Sequence, residues 1–407
     1  MFEGYNQKFY YKNNKYEYFE DPYKTDFLKQ LKPDSKPRCL GSLDIETYSL
    51  KSRKTDLKDL TLPYACGFNY KDDLKDFYIK DGESPINVVV RMLKELVVRK
   101  YQGLSFYVHN LAGFDSRFIL SALGNIPGFD VKTMGKTMNE IFSIKVSRVL
   151  KQNSRTGAMS KRPISITLKD SYYMLANSLA SLSKTFAGEN ETDLIKGSHP
   201  HAFMTPETLH YVGEIPARKY FGKSLSLKEY REIAKKFCVE KPWNAKEKCL
   251  EYLRTDLKSL VNVMDKFNKR IFELFNVDAS KISSYSGLAK AIYLVKYYVE
   301  KHRIPIITGF VDMFIRKGYI GGIVDVVKHV IFNAYKYDVN SHYPACMLKD
   351  MPVGTPRLTD CKDLDKLFGF VVAKVTAPSA KELAVPILPI TDDGGRVRCP
   401  RGTFKYI

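Results

Sequence analysis

The segment Cys39-Leu-Gly-Ser-Leu-Asp-Ile-Glu-Thr47 constrains this chain more than any other. It reads as a strand in which the apolar side chains of Leu43 and Ile45 interleave the acids Asp44 and Glu46. Successive residues of a strand point to opposite faces, so both acids share one face and the apolar pair lies on the other. Such a strand needs an apolar layer on one side and a polar site on the other, which excludes a bundle of helices. The rest of the chain fits that demand. Further strand-like runs occupy 104–110, 141–150 and 164–170. Helical patterns follow: one starts at the N-cap Ser84 and Pro85 and runs to about 100, with others near 178–187, 226–237 and 245–275. The runs at 141–150 and 164–170 flank a basic loop, 151–162, and read as a hairpin. The expected class is mixed α/β, with strands early and helices late.

Composition narrows the partner. The chain has 407 residues, a formal charge of +20 and 44% apolar residues. It can bury a core, and its charge favours a polyanion, nucleic acid first. No apolar run reaches the ~18 residues of a membrane span, so no membrane partner is expected. Seven cysteines without a CxxC pair imply a reducing compartment, with neither a disulfide framework nor a zinc site. The N-terminus has no apolar signal core and is too acidic for a usual transit peptide. The protein is expected either to stay where it is made or to be encoded inside an organelle.

Three further acidic or phenolic positions sharpen the first pair. Asp115 ends the turn His109-Asn-Leu-Ala-Gly-Phe-Asp115, after the 104–110 run. Tyr252 and Asp256 are four apart in a helical stretch and share one helix face. Each alone has a plain alternative, a solvated strand edge or an exposed helix pair. Together, four carboxylates from a strand, a turn and a helix could converge. Like charges repel at short range. Two divalent cations held by hard oxygen ligands would relieve that repulsion and support hydrolysis of a phosphodiester.

In that order and spacing, DIET (44–47), HNLAGFD (109–115) and YLRTD (252–256) resemble the three exonuclease motifs of family B DNA polymerases. The resemblance implies an RNase H-like 3′-5′ exonuclease domain. It assigns Asp44, Glu46, Asp115 and Asp256 to two Mg2+ or Mn2+ ions and Tyr252 to orienting the attacking water. It gives Thr47, Asn110 and Phe114 to holding the single-stranded 3′ end. Other segments are similar to the protein-primed branch found in bacteriophages and linear mitochondrial plasmids. DSYYML (170–175) sits where that branch contacts single-stranded DNA and terminal protein through a Ser-Leu pair; Ser171 matches and Tyr172 replaces the Leu. Lys196, before Gly197, resembles a lysine that neutralises the scissile phosphate. The histidines of the following HPHAF, His199 and His201, lack a third partner and read as structural rather than metal-binding.

Tyr319-Ile-Gly321-Gly322 resembles the YxGG motif between exonuclease and polymerase domains, which touches DNA. YDVNSHYP (337–344) resembles polymerase motif A. There Asp338 would bind catalytic metal and Tyr343 would lie against the incoming nucleotide, with His342 where the family has Leu. The implied organisation is an arm (1–36), the exonuclease domain (37–275), a linker and the beginning of a family B polymerase palm (276–350), and the start of a terminal-protein-region insertion (351–407). A helix over 285–302 and a strand over 334–340 belong to the third part. A second palm carboxylate on a Y-x-D-T-D strand, the fingers helix and the thumb are all missing from the sequence; TDDGG (391–395) comes too early. The expected function is therefore a fragment of a DNA-directed DNA polymerase that starts from a terminal protein primer and uses dNTPs on primer-template DNA. A free-standing exonuclease and a non-catalytic DNA- or terminal-protein-binding remnant are the alternatives. The branch points to the mitochondrion, with the cytoplasm as the other possibility.

Overall fold

The structure is a computed structural model that describes residues 2–4, 7–12, 15–19, 26–50, 60–137, 140–148, 163–186, 198–222, 225–320, 322–323, 329–356, 359, 361–383, 386–391 and 397–406. The chain divides into two compact units, residues 31–298 and residues 1–30 with 299–407.

Three short strands, β1 (Phe2–Gly4), β2 (Gln7–Lys12) and β3 (Lys15–Phe19), pair antiparallel in sequence. Residues 26–28 then bond to 304–306: Leu28 N–H donates to Ile304 O at 2.9 Å and Ile306 N–H to Asp26 O at 2.8 Å. Residues 26–28 are thus tied by backbone pairing, which leaves those amides satisfied.

The 31–298 unit is built on a seven-stranded sheet of β4 (Gly41–Leu50), β5 (Leu60–Tyr70), β6 (Asp73–Tyr78), β7 (Ser105–Val108), β8 (Phe129–Gly135), β9 (Ile141–Arg148) and β10 (Ile164–Asp170). The strand order is β6-β5-β4-β7-β10-β9-β8. β4, β5 and β6 form an antiparallel meander, while β4 runs parallel to β7 and β7 to β10. Counted from β4 in chain order the sheet reads 3-2-1-4-7-6-5; with the β8–β9 pair set aside as an insertion, β10 takes the fifth place and the order becomes 3-2-1-4-5, the RNase H-like arrangement that the motifs implied. β9 and β8 extend the sheet by antiparallel pairing, and the hairpin expected for 141–150 and 164–170 is present as β9 against β10; its loop, 151–162, lies outside the described residues.

Helix α1 (Pro85–Leu96) and helix α2 (Ser116–Gly124) cover one face of the sheet. There Leu43 and Ile45 join Phe68, Phe106, Val88 and Met92 in one buried cluster. α3 (Leu179–Phe186), α4 (Leu227–Ala234) and the 31-residue α5 (Ala245–Phe275) follow. α5 is started by Asn244, whose side chain accepts from Glu247 N–H at 3.2 Å, and is ended by Asn276 in a left-handed conformation. It packs on the opposite face, where Ser42 Oγ donates to Leu257 O at 2.7 Å. The strand that buries Leu43 and Ile45 on one side therefore presents Ser42, Asp44 and Glu46 to α5 on the other.

Beyond α5, α6 (Tyr285–Ile292) is shorter than the helix expected over 285–302. A π turn, Tyr293–Tyr297, widens it, with Tyr298 N–H donating to Tyr293 O at 2.8 Å, and Tyr298 is extended. The run Tyr297-Tyr298-Val299 favours extended backbone over helix. In the other unit, α7 (Gly309–Lys317) and α8 (His342–Met347) are joined to short strand pairs, Ala373–Ala377 with Gly402–Tyr406 and Ile390–Thr391 with Val397–Arg398. The strand expected over 334–340 is absent: the segment is irregular and exposed. Tyr335, Tyr337 and Val339 alternate as a strand face would, but among the described residues no sheet pairs with them, and an unpaired strand is not stable in water.

Candidate functional site

Asp44 and Glu46 project from β4 toward α5, where Tyr252 and Asp256 stand one turn apart. One carboxylate oxygen from each of Asp44, Glu46 and Asp256 lies within 4.8 Å of the others. They line a cleft of about 230 Å3 together with His109, His201, Tyr252, Leu179 and Leu260. Glu46 and Asp256 are 6% and 2% exposed, so their charges are held in a poorly solvated place, and a cation is the simplest relief. Tyr252, itself buried, hydrogen-bonds Asp256; burial first, then that carboxylate, raises its phenol far above the ordinary value. The phenol therefore stays protonated and acts as a donor.

Asp115 reaches the same charge cluster from the turn after β7. It is 3% exposed, and its Oδ1 has no hydrogen-bond partner among the described residues. Burial, and then the charges of Asp44 and Glu46, push its carboxyl well above the usual range. A buried oxygen left unbonded beside two other acids is a group that a cation would satisfy. The donor set is all oxygen, which fits Mg2+ or Mn2+ and not a thiolate-bound metal.

The other residues singled out from the 109–115 and 170–175 motifs gather nearby. Asn110 is exposed and Phe114 half-buried, its ring 5.4 Å from that of Phe118. Gly113 has a reason in this turn: a Cβ there would lie 2.5 Å from Asn110 Oδ1. Ser171 is fully buried and its hydroxyl pairs with His109 Nδ1 at 2.9 Å, while Tyr172 is 43% exposed and packs edge-on to the His109 ring at 6.1 Å. Thr47 follows Glu46 at a point where β5 bulges, since Glu46 faces Ala65 and Thr47 faces Pro63.

Sequence reasoning treated His199 and His201 alike, and the structure separates them. His199 is buried, pairs through Nε2 with Tyr64 OH at 3.1 Å and stacks on the Tyr252 ring at 5.1 Å. That is the structural role expected for it. His201 is half-exposed, lines the cleft and places Nδ1 3.7 Å from Glu46 Oε2. Asp170, which opens the DSYYML segment but was given no role in it, is also buried, and accepts hydrogen bonds from the 109–115 turn. Its signal was an Asp-Ser pair at a strand end, a common side-chain-to-backbone turn device.

Lys196 and Gly321 lie outside the described residues. In the 299–407 unit, Tyr319 is 84% exposed and Tyr343 64% exposed. Tyr343 stands beside the glycine segment, since a Cβ on Gly322 would lie 2.6 Å from its hydroxyl oxygen. Asp338 is exposed, and among the described residues it belongs to no group of three or more His, Cys, Asp or Glu side chains.

Comparison with known proteins follows the same lines. Residues 96–407 match the family described as DNA polymerase type B, organellar and viral. A probable DNA polymerase of Agaricus bitorquis is 30% identical over 98% of this chain and 49% of its own length. One of Ascobolus immersus is 32% identical over 98% of this chain and 32% of its own length. The chain thus spans about half of the first relative and a third of the second. Among solved structures, phi29 DNA polymerase complexed with primer-template DNA and incoming nucleotide aligns over 90% of this chain and 57% of its own, at 16% identity and a TM-score of 0.49.

Proposed function

The chain belongs to the organellar and viral type B DNA polymerases, and from that premise we propose that residues 31–298 are the 3′→5′ exonuclease of such an enzyme. The observation that carries this reading is the convergence of Asp44, Glu46 and Asp256 within 4.8 Å in one cleft. In the proposed reaction these three and Asp115 would hold two Mg2+ or Mn2+ ions. Bound ions would activate water and offset the charge that builds on the scissile phosphate. Tyr252, kept protonated by burial, would orient that water through its hydroxyl oxygen, its single O–H being engaged by Asp256. Asn110, Phe114 and Thr47 grip the last nucleotides of a single strand, Ser171 supports that grip, and Lys196 meets the phosphate.

The reading extends to the whole enzyme as a proposal only, because the relatives are longer than this chain. It is a DNA-directed DNA polymerase that starts from a protein primer, takes dNTPs on primer-template DNA through Asp338 and Tyr343, and contacts the strand through Tyr319, Gly321 and Gly322. Its setting is the mitochondrion, on the organellar or linear-plasmid resemblance and the fungal sources of the relatives. Among the described residues no helix is long and apolar enough to cross a membrane. A free-standing exonuclease is the second reading, favoured by the exposed Asp338 and disfavoured by the YxGG and motif A resemblances, which a nuclease does not need.

The test uses a 5′-labelled single-stranded oligonucleotide with the purified 407-residue chain and Mn2+. We expect a ladder shortening from the 3′ end, and none from the Asp44→Ala/Glu46→Ala double variant. Undiminished digestion by that variant removes the assignment. Binding of the same oligonucleotide should weaken steeply as salt rises, since a chain of +20 charge binds DNA by releasing counterions.

A further inference from the structure

We propose that Asp170 is a positioning residue of this site, whose carboxylate locks the 109–115 turn in the shape that presents Asn110, Phe114 and Asp115 together; this rests on the exonuclease reading above. β7 and β10 are parallel neighbours, and Asp170 at the end of one lies opposite Val108 at the end of the other. The chain leaving Val108 must turn at once to bring Asp115 back over the sheet end. It does so with Asn110 at φ 64°, a left-handed conformation that side-chain-bearing residues seldom adopt. The amides of such a turn point away from the sheet and need other acceptors.

Asp170 supplies them. Its Oδ1 accepts from Asn110 N–H at 3.0 Å and from Tyr172 N–H at 2.8 Å, and its Oδ2 accepts from Ala112 N–H at 2.8 Å. Hydrogen bonds to an ionised acceptor are stronger than neutral ones, and Asp170 is only 1% exposed, so water does not compete for them. Both oxygens are engaged by backbone, which sets this acid apart from Asp115, whose Oδ1 is unbonded among the described residues. Ser171 adds a second tie between the same two strand ends, its N–H donating to Val108 O at 3.0 Å and its hydroxyl meeting His109. An amide in place of the carboxylate keeps the shape but has one acceptor oxygen, so at least one turn amide would face an NH2 donor.

Asp170→Asn is therefore the informative variant, with Asp170→Ala beside it and Asp44→Ala/Glu46→Ala as the control for the site itself. Three measurements are made on the 407-residue chain: the melting transition, anisotropy of a short single-stranded oligonucleotide in EDTA, and the Mn2+ concentration that half-saturates 3′ digestion. We expect Asp170→Asn to melt cooperatively near the parent temperature. It should bind the oligonucleotide about tenfold more weakly and need about tenfold more Mn2+, the scale seen when residues that orient metal-site ligands are altered. Parent-like affinity and Mn2+ requirement in Asp170→Asn, with the control inactive, overturn the positioning role and leave the exonuclease reading intact. Unfolding of both Asp170 variants overturns it too, by making Asp170 a residue of the fold. A parent chain that digests nothing removes the exonuclease reading, and this inference with it.

Discussion

Residues 31–298 and 299–407 both carry polymerase-like motifs, but among the described residues only the first unit gathers them into a buried constellation. In it, Asp44, Glu46 and Asp256 converge because a paired strand and a 31-residue helix fix their faces. In the second, Tyr335 and Tyr337 are 85% and 89% exposed along an irregular segment, and Asp338 sits among them. The two-residue alternation is equally clear in both. It acquires meaning only where neighbouring strands define which face is in. A motif specifies chemistry; a sheet makes it a site.

The largest expected effect breaks or confirms that contrast directly. Each of Asp44→Ala, Glu46→Ala and Asp256→Ala should lower exonuclease rates by about 1,000-fold or more. Loss of a ligand that holds catalytic metal removes several kcal/mol of transition-state stabilisation, at about 1.4 kcal/mol per factor of ten. Single-turnover digestion measures it. A loss below tenfold in all three would mean the cluster is not the catalytic centre.

Next comes packing. Phe106 is fully buried between α1 and the sheet, whereas Phe332 is 86% exposed. Phe106→Ala should destabilise the protein by about 3–5 kcal/mol, and Phe332→Ala by less than about 0.5 kcal/mol. Urea unfolding decides between equal and unequal effects; equal effects would show that the second unit holds a core of its own around Phe332.

A third measurement separates function from stability inside the first unit. Because burial and the neighbouring acids raise the Asp115 carboxyl, the metal-free folded protein holds that proton more tightly than the unfolded chain does. Stability of the metal-free form should fall as pH rises from the ordinary aspartate range through the raised value. Asp115→Asn should flatten that fall and raise the neutral-pH Tm in EDTA, by about 2–4 °C per kcal/mol relieved, while abolishing digestion. A lower Tm for Asp115→Asn in EDTA would show that its charge is already compensated within the chain.

These effects also mark where the sequence could be read. Leu43, Asp44, Ile45 and Glu46 announce their faces because the alternation is local. The same holds for Tyr252 and Asp256, four apart on a helix. β5 was not legible: its run contains Pro63, which argues against a central strand. The structure accommodates that proline opposite Thr47, where the register slips and Tyr64 has no cross-strand partner. β8 was hidden for the opposite reason, an exposed edge strand with little apolar content. Asp170 and His199 act through contacts that no spacing encodes; Tyr64 and His199 are 135 residues apart. The two misjudged elements have different causes: α6 stops where the Tyr297-Tyr298-Val299 run favours extended backbone, and 334–340 has the local pattern of a strand where, among the described residues, no sheet pairs with it.

The smallest expected effect is none at all, and it bears on the second unit. The 407-residue protein should not extend a primer, and Asp338→Ala should change nothing that is measured. Nucleotide transfer uses two cations, one activating the 3′ hydroxyl and one bridging the triphosphate. In the family, carboxylates from two separate motifs hold them. Here Asp338 is exposed and belongs to no group of three or more metal-ligating side chains among the described residues, and TDDGG (391–395) is the segment that most resembles a second acidic motif. Fingers that would align the nucleotide are not recognisable either, and lost alignment alone removes a large part of the rate. Incubation with primed template, labelled dNTPs and Mn2+ provides the check, run in the Asp44→Ala/Glu46→Ala background so that digestion cannot mask synthesis. Extension that vanishes in Asp338→Ala would erase the contrast between the units. It would require a second acid, Asp392 or Asp393, to have come to Asp338, and Asp392→Ala and Asp393→Ala would then identify which.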